Sequence, residues 1–161
     1  PIWKERDMSK LDKLADKQYF FGALFVTANR LDTIMERNFA EFGVTTKQWF
    51  LSIVVDRLFE DPPTMKQAAY AMGSSHQNIK QLALKLHKKG LLRLDKDAQD
   101  ARLMRLSLTP EGQQLWQMVR LQRDPFQERL FEGISPEELK TVRGVMERLL
   151  HNIDEMDCKN K

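Results

Sequence analysis

The strongest limit on the fold of this chain comes from two short helix patterns separated by a single glycine. Thr64-Met65-Lys66-Gln67 is a capping box, in which a Thr hydroxyl and a Gln amide cover free backbone donors at a helix start. Gly73 permits a tight turn after this helix, and Ser74 or Ser75 then caps a second helix over 75–89. The middle of the chain is therefore predicted to contain a helix, a tight turn and a helix in direct succession.

Two strand patterns follow the second helix. Residues 91–94 are mostly apolar, residues 103–108 alternate apolar and polar side chains, and a polar loop over 95–102 lies between them. Such alternation is typical of a half-buried strand. A helix, a tight turn, a helix and a β-ribbon in this order predict a winged helix-turn-helix.

Long helix patterns, which this small module does not need, lie on both sides of it. Residues 9–41 repeat apolar side chains at three- and four-residue spacing, which predicts one long helix. A capping box at Thr45-Thr46-Lys47-Gln48 starts another helix. Two more helices begin at Thr109-Pro110-Glu111 and at Ser135-Pro136-Glu137-Glu138. The predicted fold is mainly α with a small β-wing.

Composition excludes several other classes of protein. One cysteine cannot form an internal disulfide, no apolar run approaches the roughly 18–20 residues that cross a bilayer, and the first residues carry no signal-peptide pattern. We therefore expect a cytoplasmic protein without membrane contact. The sequence also has no Gly-rich phosphate loop, no nucleophile elbow and no histidine or cysteine cluster with metal-ligand spacing. We expect neither enzymatic activity nor a cofactor nor a metal.

Positive charge is concentrated in the middle of the chain. Between Pro62 and Thr109, nine Lys and Arg residues accompany three acidic residues, a net charge of +6, whereas the two flanks together carry −3. A basic centre between mildly acidic ends favours a module that faces phosphates. The alternative is an ordinary solvated basic face, and charge alone does not choose between the two.

The second helix of the central pair has an apolar side and a basic side. Ile79, Leu82, Ala83 and Leu86 recur at core spacing. The opposite side carries amides and lysines without any acid, and Gln or Asn pairs with adenine while Lys meets guanine or phosphate. We therefore predict base contacts with a preference for A·T-containing half-sites from Gln77, Asn78 and Gln81, and phosphate contacts from Ser74, Ser75, Lys80, Lys85 and Lys66.

The loop between the two strands adds a second feature that suits DNA. Arg102 lies at the end of this loop, just before the second strand. From there its guanidinium could enter a narrow A·T-rich minor groove, where the negative potential is concentrated. Asp100 would face phosphate unfavourably unless its carboxylate holds the Arg102 side chain through a charge-assisted hydrogen bond. The alternative is a surface ion pair with almost no effect on stability.

Several stretches carry a resemblance to a known family. They are Val44-Thr45-Thr46-Lys47-Gln48-Trp49 at a helix start, residues 72–82 and 86–91 at the entry to and exit from the second central helix, Asp100-Ala101-Arg102 in the wing, and residues 106–112 leading into the next helix. In this order and spacing they resemble the MarR family of winged-helix transcriptional regulators. The resemblance implies an obligate homodimer that binds pseudo-palindromic double-stranded DNA, commonly as a repressor released by a small molecule.

Three positions of the second central helix, which the resemblance implies is the recognition helix, depart from the family pattern. The family often has an arginine where Gln81 stands and an Asp-Arg pair where Leu84-Lys85 stands. Leu84 falls on the polar side of the helix, so it would meet a thymine methyl group or pack against a neighbouring element. The rival interpretation is a winged-helix module that binds another protein and no longer contacts DNA.

The last helix carries an apolar seam at alternating spacings of three and four, which is an a/d pattern: Leu139, Val142, Met146, Leu149, Ile153 and Met156. Such a seam either folds back on its own core or joins two chains. Leu11 and Leu14 favour the second, because a small domain would leave them uncovered. We predict a homodimer with three parts: an N-terminal dimerisation arm (1–42), a winged-helix DNA-binding region (43–109) and C-terminal dimerisation helices (110–161).

The resemblance also implies an effector pocket between the dimer arms and the winged domain. Its candidate lining is aromatic: Phe20, Phe21, Phe25, Trp49 and Trp116. Aromatic residues at helical spacing are more often plain core, so this interpretation stands beside a structural one. A small aromatic effector would act only by favouring a dimer whose recognition helices are wrongly spaced, because only differential affinity shifts a population.

Overall fold

The computed structural model describes residues 14–158, except for the side chains of residues 122–124 and 158. The chain divides into two compact units, one that ends at Val119 and one that begins at Arg120. Leu11, a predicted dimer contact, lies outside the described residues. The division into arm, DNA-binding region and C-terminal helices concerns roles and stays a prediction. No described helix combines the length and the apolar character that a membrane crossing requires.

The first unit contains the predicted helix-turn-helix and β-ribbon after one long helix. Its elements are α1 (Asp16–Phe39), a 3-10 turn (Ala40–Phe42), α2 (Thr46–Arg57), α3 (Met65–Ala71), α4 (His76–Lys88), β1 (Leu92–Lys96), β2 (Met104–Leu108) and the start of α5 (Pro110–Leu130). The two strands form one small antiparallel sheet. The expectation of a mainly helical winged-helix fold with a small β-wing is confirmed.

Side-chain caps set the starts of α2, α3 and α4. Thr45 and Thr64 each complete a capping box with the glutamine three residues later. Ser75, and not Ser74, caps α4, because its hydroxyl accepts a hydrogen bond from the Asn78 N–H at 3.2 Å. Each helix start is thus set by residues within one turn of it, and this is why the sequence predicted it correctly.

The tight turn between α3 and α4 depends on a glycine. Gly73 has φ 57°, a left-handed conformation that side chains with a Cβ rarely adopt. Its N–H donates to the Tyr70 carbonyl oxygen at 3.0 Å, and the Ser74 N–H donates to the Ala69 carbonyl oxygen at 2.9 Å. These two bonds satisfy carbonyl groups at the end of α3 and turn the chain directly into α4.

Two predicted boundaries are wrong by a few residues. Ala15 is extended, with φ −61° and ψ 146°, so α1 begins at Asp16 and not at residue 9. β1 continues to Lys96, beyond the predicted end at residue 94, and Lys96 pairs with Met104 of β2. The polar residues at the end of β1 carry no strand pattern of their own, so it is the pairing with β2 that keeps them extended.

The core of the first unit lies between α2, α4 and the sheet. Its large, fully buried side chains include Leu51, Val54, Ile79, Leu86, Leu92 and Leu106. Burying each such side chain contributes roughly 1.5–3 kcal/mol. Within α4, Ile79, Ala83 and Leu86 are buried and Leu82 is half-buried, which confirms the predicted apolar side. The opposite side of α4 is consequently directed away from the core.

Hydrogen bonds join the wing to the segment that precedes α3. The Leu106 N–H donates to the Pro63 carbonyl oxygen at 2.9 Å, and Thr64 forms a β-bridge with Arg105. These contacts place the base of the wing beside the start of α3 within the same compact unit.

The second unit comprises the end of α5 and all of α6 (Pro136–Cys158). The predicted capping box is present at the start of α6. The Ser135 N–H donates to Glu138 Oε2 at 2.8 Å, and the Glu138 N–H donates to Ser135 Oγ at 3.2 Å. The hydrogen bond from the Ser135 backbone holds the pKa of the Glu138 carboxyl below its ordinary value. α5 continues through Pro125 as far as Leu130.

Most of the apolar seam of α6 is exposed in the single chain. Leu139, Val142, Ile153 and Met156 are exposed, whereas Met146 and Leu149 are half-buried. Leu14, which precedes α1 in the first unit, is also exposed. Exposed apolar residues at regular helical spacing are typical of a surface that another element covers.

Candidate nucleic-acid interface

The outward side of α4 presents hydrogen-bonding and cationic groups and no carboxylate. Gln77, Asn78, Lys80, Gln81 and Lys85 are all exposed. Because residues four apart lie on the same side of a helix, Gln77, Gln81 and Lys85 form a row of two amides and one ammonium. A row of this kind can meet the donor and acceptor edges of bases and the phosphates beside them.

The lysines of α4 keep their charge uncompensated. No carboxylate in the described part of the chain forms an ion pair with Lys80, Lys85 or Lys88. Their ammonium groups are therefore available to an external anion. Leu84 is 42% exposed on the same helix, as its position on the polar side predicted.

Other basic residues of the central region bond to groups of the chain itself. Lys89 Nζ donates to the Gly43 carbonyl oxygen and, at 3.3 Å, to Gln48 Oε1. Arg93 Nε donates to Asp95 Oδ2 at 2.6 Å. The three carboxylates of the central region each pair with an arginine, so its net charge of +6 rests on six lysines, and three of these lie on α4.

The turn and helix before α4 carry the remaining predicted phosphate contacts. Ser75 is exposed and Ser74 is half-buried. Lys66 is exposed on α3, and Tyr70, one turn later on the same side, is 71% exposed. The sequence did not single out Tyr70, because an aromatic residue in a short helix is as typical of a core position. Its exposure beside Lys66 makes it a further candidate for contact with a phosphate.

The predicted hydrogen bond between Asp100 and Arg102 is present at the tip of the wing. Asp100 Oδ1 accepts from Arg102 N and from Arg102 Nε, each at 3.0 Å, and Oδ2 accepts from Nη2 at 3.3 Å. These bonds, the side-chain one foremost, hold the pKa of the Asp100 carboxyl below its ordinary value. The Arg102 side chain is nonetheless 90% exposed. The Arg102 guanidinium is thus held by the Asp100 carboxylate while most of the Arg102 side chain faces solvent.

A second carboxylate in the wing was not predicted as a site residue. The Asp97 side chain is only 8% exposed and forms an ion pair with Arg105. Hydrogen bonds from the Asp100 N–H, the Arg105 side chain and the Gln99 N–H lower the pKa of Asp97 to about 2. The sequence held one signal for it, an Asp in a short polar loop, which is typical of a turn that an Asp side chain closes.

The aromatic residues predicted to line an effector pocket have different surroundings. Phe20, Phe21 and Phe25 are exposed on α1, and the rings of Phe21 and Phe25 meet edge to face with centroids 5.2 Å apart. Trp49 packs against Phe39 with ring centroids 5.5 Å apart. Trp116 belongs to the buried core of the first unit. A pocket lined by all five stays a prediction.

Two further observations bear on ligands. The buried Trp116 Nε1 has no hydrogen-bond acceptor among the described residues, and a buried donor without a partner is uncommon in folded proteins. The described residues contain no group of three His, Cys, Asp or Glu side chains placed to hold a metal ion.

Solved structures with the same fold are transcriptional regulators. A MarR/EmrR family transcriptional regulator from Acinetobacter sp. ADP1 matches with a TM-score of 0.78 and 16% identity, over 88% of this chain and 99% of that chain. S. aureus MepR in a DNA complex matches with a TM-score of 0.71 and 20% identity, over 86% and 99%. CouR from Rhodococcus jostii RHA1 bound to p-coumaroyl-CoA matches with a TM-score of 0.72 and 18% identity, over 84% and 92%. No family model matches the chain. The structural similarities show that this chain has the winged-helix fold of the MarR-family transcriptional regulators.

Proposed function

We propose that this protein is a sequence-specific DNA-binding transcriptional regulator. The observation that carries the proposal is the outward side of α4, where exposed amides and unpaired lysines occur without a single carboxylate. A solvated helix face usually mixes both signs of charge, whereas a helix that enters a major groove needs this composition. Arg102 at the wing tip supplies a second contact, directed to the minor groove. The DNA complex of MepR supports the same use of the fold.

We propose in addition that two copies of the chain bind one pseudo-palindromic duplex. A single recognition helix reads only one half-site, whereas two helices about 34 Å apart read successive major grooves on one side of DNA. The exposed seam of α6 supports a homodimer, because Leu139, Val142, Ile153 and Met156 lie open to solvent in the single chain. Each such side chain contributes roughly 1.5–3 kcal/mol when fully buried, enough together to exceed a modest association cost.

Two experiments test the proposal. The first selects the fragments that the protein binds from random DNA, and the second measures its affinity for the selected DNA between about 50 and 200 mM salt. We expect a two-fold symmetric consensus and a steep loss of affinity with salt, because each neutralised phosphate adds about −0.9 to the slope of log affinity against log salt. A dimer would use Lys85 twice, so Lys85→Ala should reduce the magnitude of this slope by about 2.

Lys17→Ala is the matched control, because Lys17 is an exposed lysine at the start of α1. It removes the same charge and should leave both the affinity and the slope unchanged. If the wild-type protein shifts no DNA even at low salt, the proposal is wrong, and the rival interpretation as a protein-binding module is favoured. The exposed Leu84 on the polar side of α4 is the observation that suits that rival.

We infer further that the regulator is a repressor that a small aromatic ligand releases. The buried Trp116 N–H without an acceptor supports this, because a ligand carboxylate or carbonyl would complete its hydrogen bonding. The p-coumaroyl-CoA complex of CouR supports the same class of ligand. Titration of aromatic acids, read by tryptophan emission and by DNA affinity, tests the inference. Coupling that is lost in Trp116→Phe supports it, and the absence of coupling with every compound refutes it.

A further inference from the structure

The wing contains a chain of hydrogen bonds that runs from its base to its tip. It begins at Asp97, whose side chain is 8% exposed although the loop around it is polar and open to solvent. A carboxylate this enclosed is stable only when its oxygens are well satisfied by donors. The groups that donate hydrogen bonds to Asp97 therefore identify the parts of the wing that it holds in place.

One oxygen of Asp97 organises the loop. Asp97 Oδ1 accepts from the Gln99 N–H and from the Asp100 N–H, each at 2.9 Å. The Leu103 N–H donates to the Asp100 carbonyl oxygen at 2.8 Å, and the Asp97 N–H donates to the Leu103 carbonyl oxygen at 3.0 Å. The backbone of Asp100 is thus fixed from both sides, by the Asp97 side chain before it and by Leu103, the residue before β2, after it.

The other oxygen of Asp97 connects the loop to the body of the unit. Asp97 Oδ2 accepts from Arg105 Nε, and Arg105 Nη1 donates to the Pro62 carbonyl oxygen at 2.7 Å. Pro62 belongs to the segment before α3, so the same guanidinium joins the wing loop to the helix-turn-helix. The loop is thereby bonded to the segment that leads into α3.

The chain of bonds ends on Arg102. Asp100, whose backbone is held by Asp97, accepts the Arg102 Nε at 3.0 Å through its own carboxylate. We propose that Asp97 is a positioning residue, which sets the direction of the Arg102 guanidinium through Asp100 and so determines the preference of the wing for A·T base pairs in the minor groove. This inference rests on the proposed function, because it assigns to Asp97 an effect on DNA contacts that Asp97 does not itself make.

A purely structural role for Asp97 leads to a different result. If Asp97 only helped the wing to fold, its loss would weaken DNA binding whether or not Arg102 were present. If it acts through Arg102, its loss should have no further effect once Arg102 has been removed. A double-mutant cycle separates the two roles, because residues that act as one unit are not additive.

The test measures the affinity of the full-length protein for its selected DNA in the variants Asp97→Ala and Arg102→Ala and in the double variant. We expect Arg102→Ala to lower the affinity by at least about 25-fold, because a lost base contact costs about 5-fold or more and a dimer loses two. Asp97→Ala should reproduce most of this loss, and the double variant should be no weaker than Arg102→Ala. Asp97→Ala combined with Lys85→Ala should instead multiply the two single losses.

Asp95→Ala is the matched control, because Asp95 is an exposed wing carboxylate paired with Arg93. It should leave the effect of Arg102→Ala unchanged. Asp97→Asn provides a second variant in case Asp97→Ala unfolds: its amide oxygen still accepts the two loop N–H groups, while the ion pair with Arg105 is lost. Its loss of affinity should be smaller and should also disappear in the Arg102→Ala background.

Modified DNA gives a second measurement that folding alone would not change. A G·C pair places an amino group in the minor groove, and an I·C pair does not. At the positions under the wing, wild type should prefer A·T and I·C to G·C, and Asp97→Ala should lose this preference as completely as Arg102→Ala does. Multiplicative losses in the cycle, or a preference that survives in Asp97→Ala, would overturn the inference. Failure of the wild-type protein to bind any selected DNA would refute the proposed function instead.

Discussion

Gly112 in the first turn of α5 has no room for a side chain. A Cβ at this position would lie well under 3.0 Å from the Leu91 carbonyl oxygen and 3.1 Å from the Leu91 carbonyl carbon. That oxygen already accepts the Thr109 N–H at 3.2 Å, and Thr109 Oγ1 donates to the Gly90 carbonyl oxygen at 2.6 Å. The obstructing group is backbone that hydrogen bonds hold, so it cannot rotate away as a flexible side chain would. Gly112→Ala should therefore push the start of α5 away from the turn that follows α4.

Two opposing effects set the size of the change. Replacing glycine by alanine inside a helix stabilises it by up to about 1 kcal/mol. Overpacking against a fixed neighbour costs about 1–3 kcal/mol, and contact with backbone belongs at the upper end of that range. We expect Gly112→Ala to lower the free energy of unfolding by about 2 kcal/mol, which corresponds to a fall in Tm of about 4–8 °C for a chain of this size.

Urea unfolding followed by tryptophan fluorescence measures this change at a fixed protein concentration. Gly22→Ala is the matched control: Gly22 lies inside α1, and nothing beyond the backbone of that helix lies within 4 Å of the place that a Cβ would take there. The control should gain about 0.5–1 kcal/mol. Equal stability changes in the two variants, or a gain in Gly112→Ala, would refute the packing of α5 against the α4–β1 turn.

Three other predictions follow from single hydrogen-bonded groups. Lys89→Met should lower the free energy of unfolding in urea by about 1 kcal/mol, because it removes a donor to the buried Gln48. The control Lys88→Met should change it by less than about 0.5 kcal/mol. Equal effects of the two substitutions would contradict this role of Lys89. Thr45→Ala should cost about 1 kcal/mol by breaking the capping box of α2, and an unchanged urea midpoint would argue against that cap. The pKa of Asp97 is lowered to about 2 in the fold, so its contribution to stability is present above its ordinary pKa and is lost as the pH falls from about 4 to 2. In Asp97→Asn the urea midpoint should therefore change less with pH over that range than it does in the wild type. An identical pH profile in the two proteins would exclude this group.

Features that depend on neighbours within one turn could be predicted from the sequence. The capping boxes at Thr45, Thr64 and Ser135 were predicted and are present, and so is the apolar side of α4. Residues three or four apart lie on the same side of a helix, so the spacing of apolar residues in the sequence already indicates which side faces the core. The pairing of Asp100 with Arg102 belongs to the same class, because the two residues are two positions apart.

Features that join distant parts of the chain required the folded structure. Lys89 and Arg105 both count as basic residues of a DNA-facing region in the sequence, yet they bond to Gly43, 46 residues away, and to Pro62, 43 residues away. Asp97 is likewise bonded to Arg105, eight residues away, as well as to its own loop. Local sequence sets which groups a segment carries, but packing decides which of them meet water and which meet one another, because a hydrogen bond depends on distances that sequence separation does not fix.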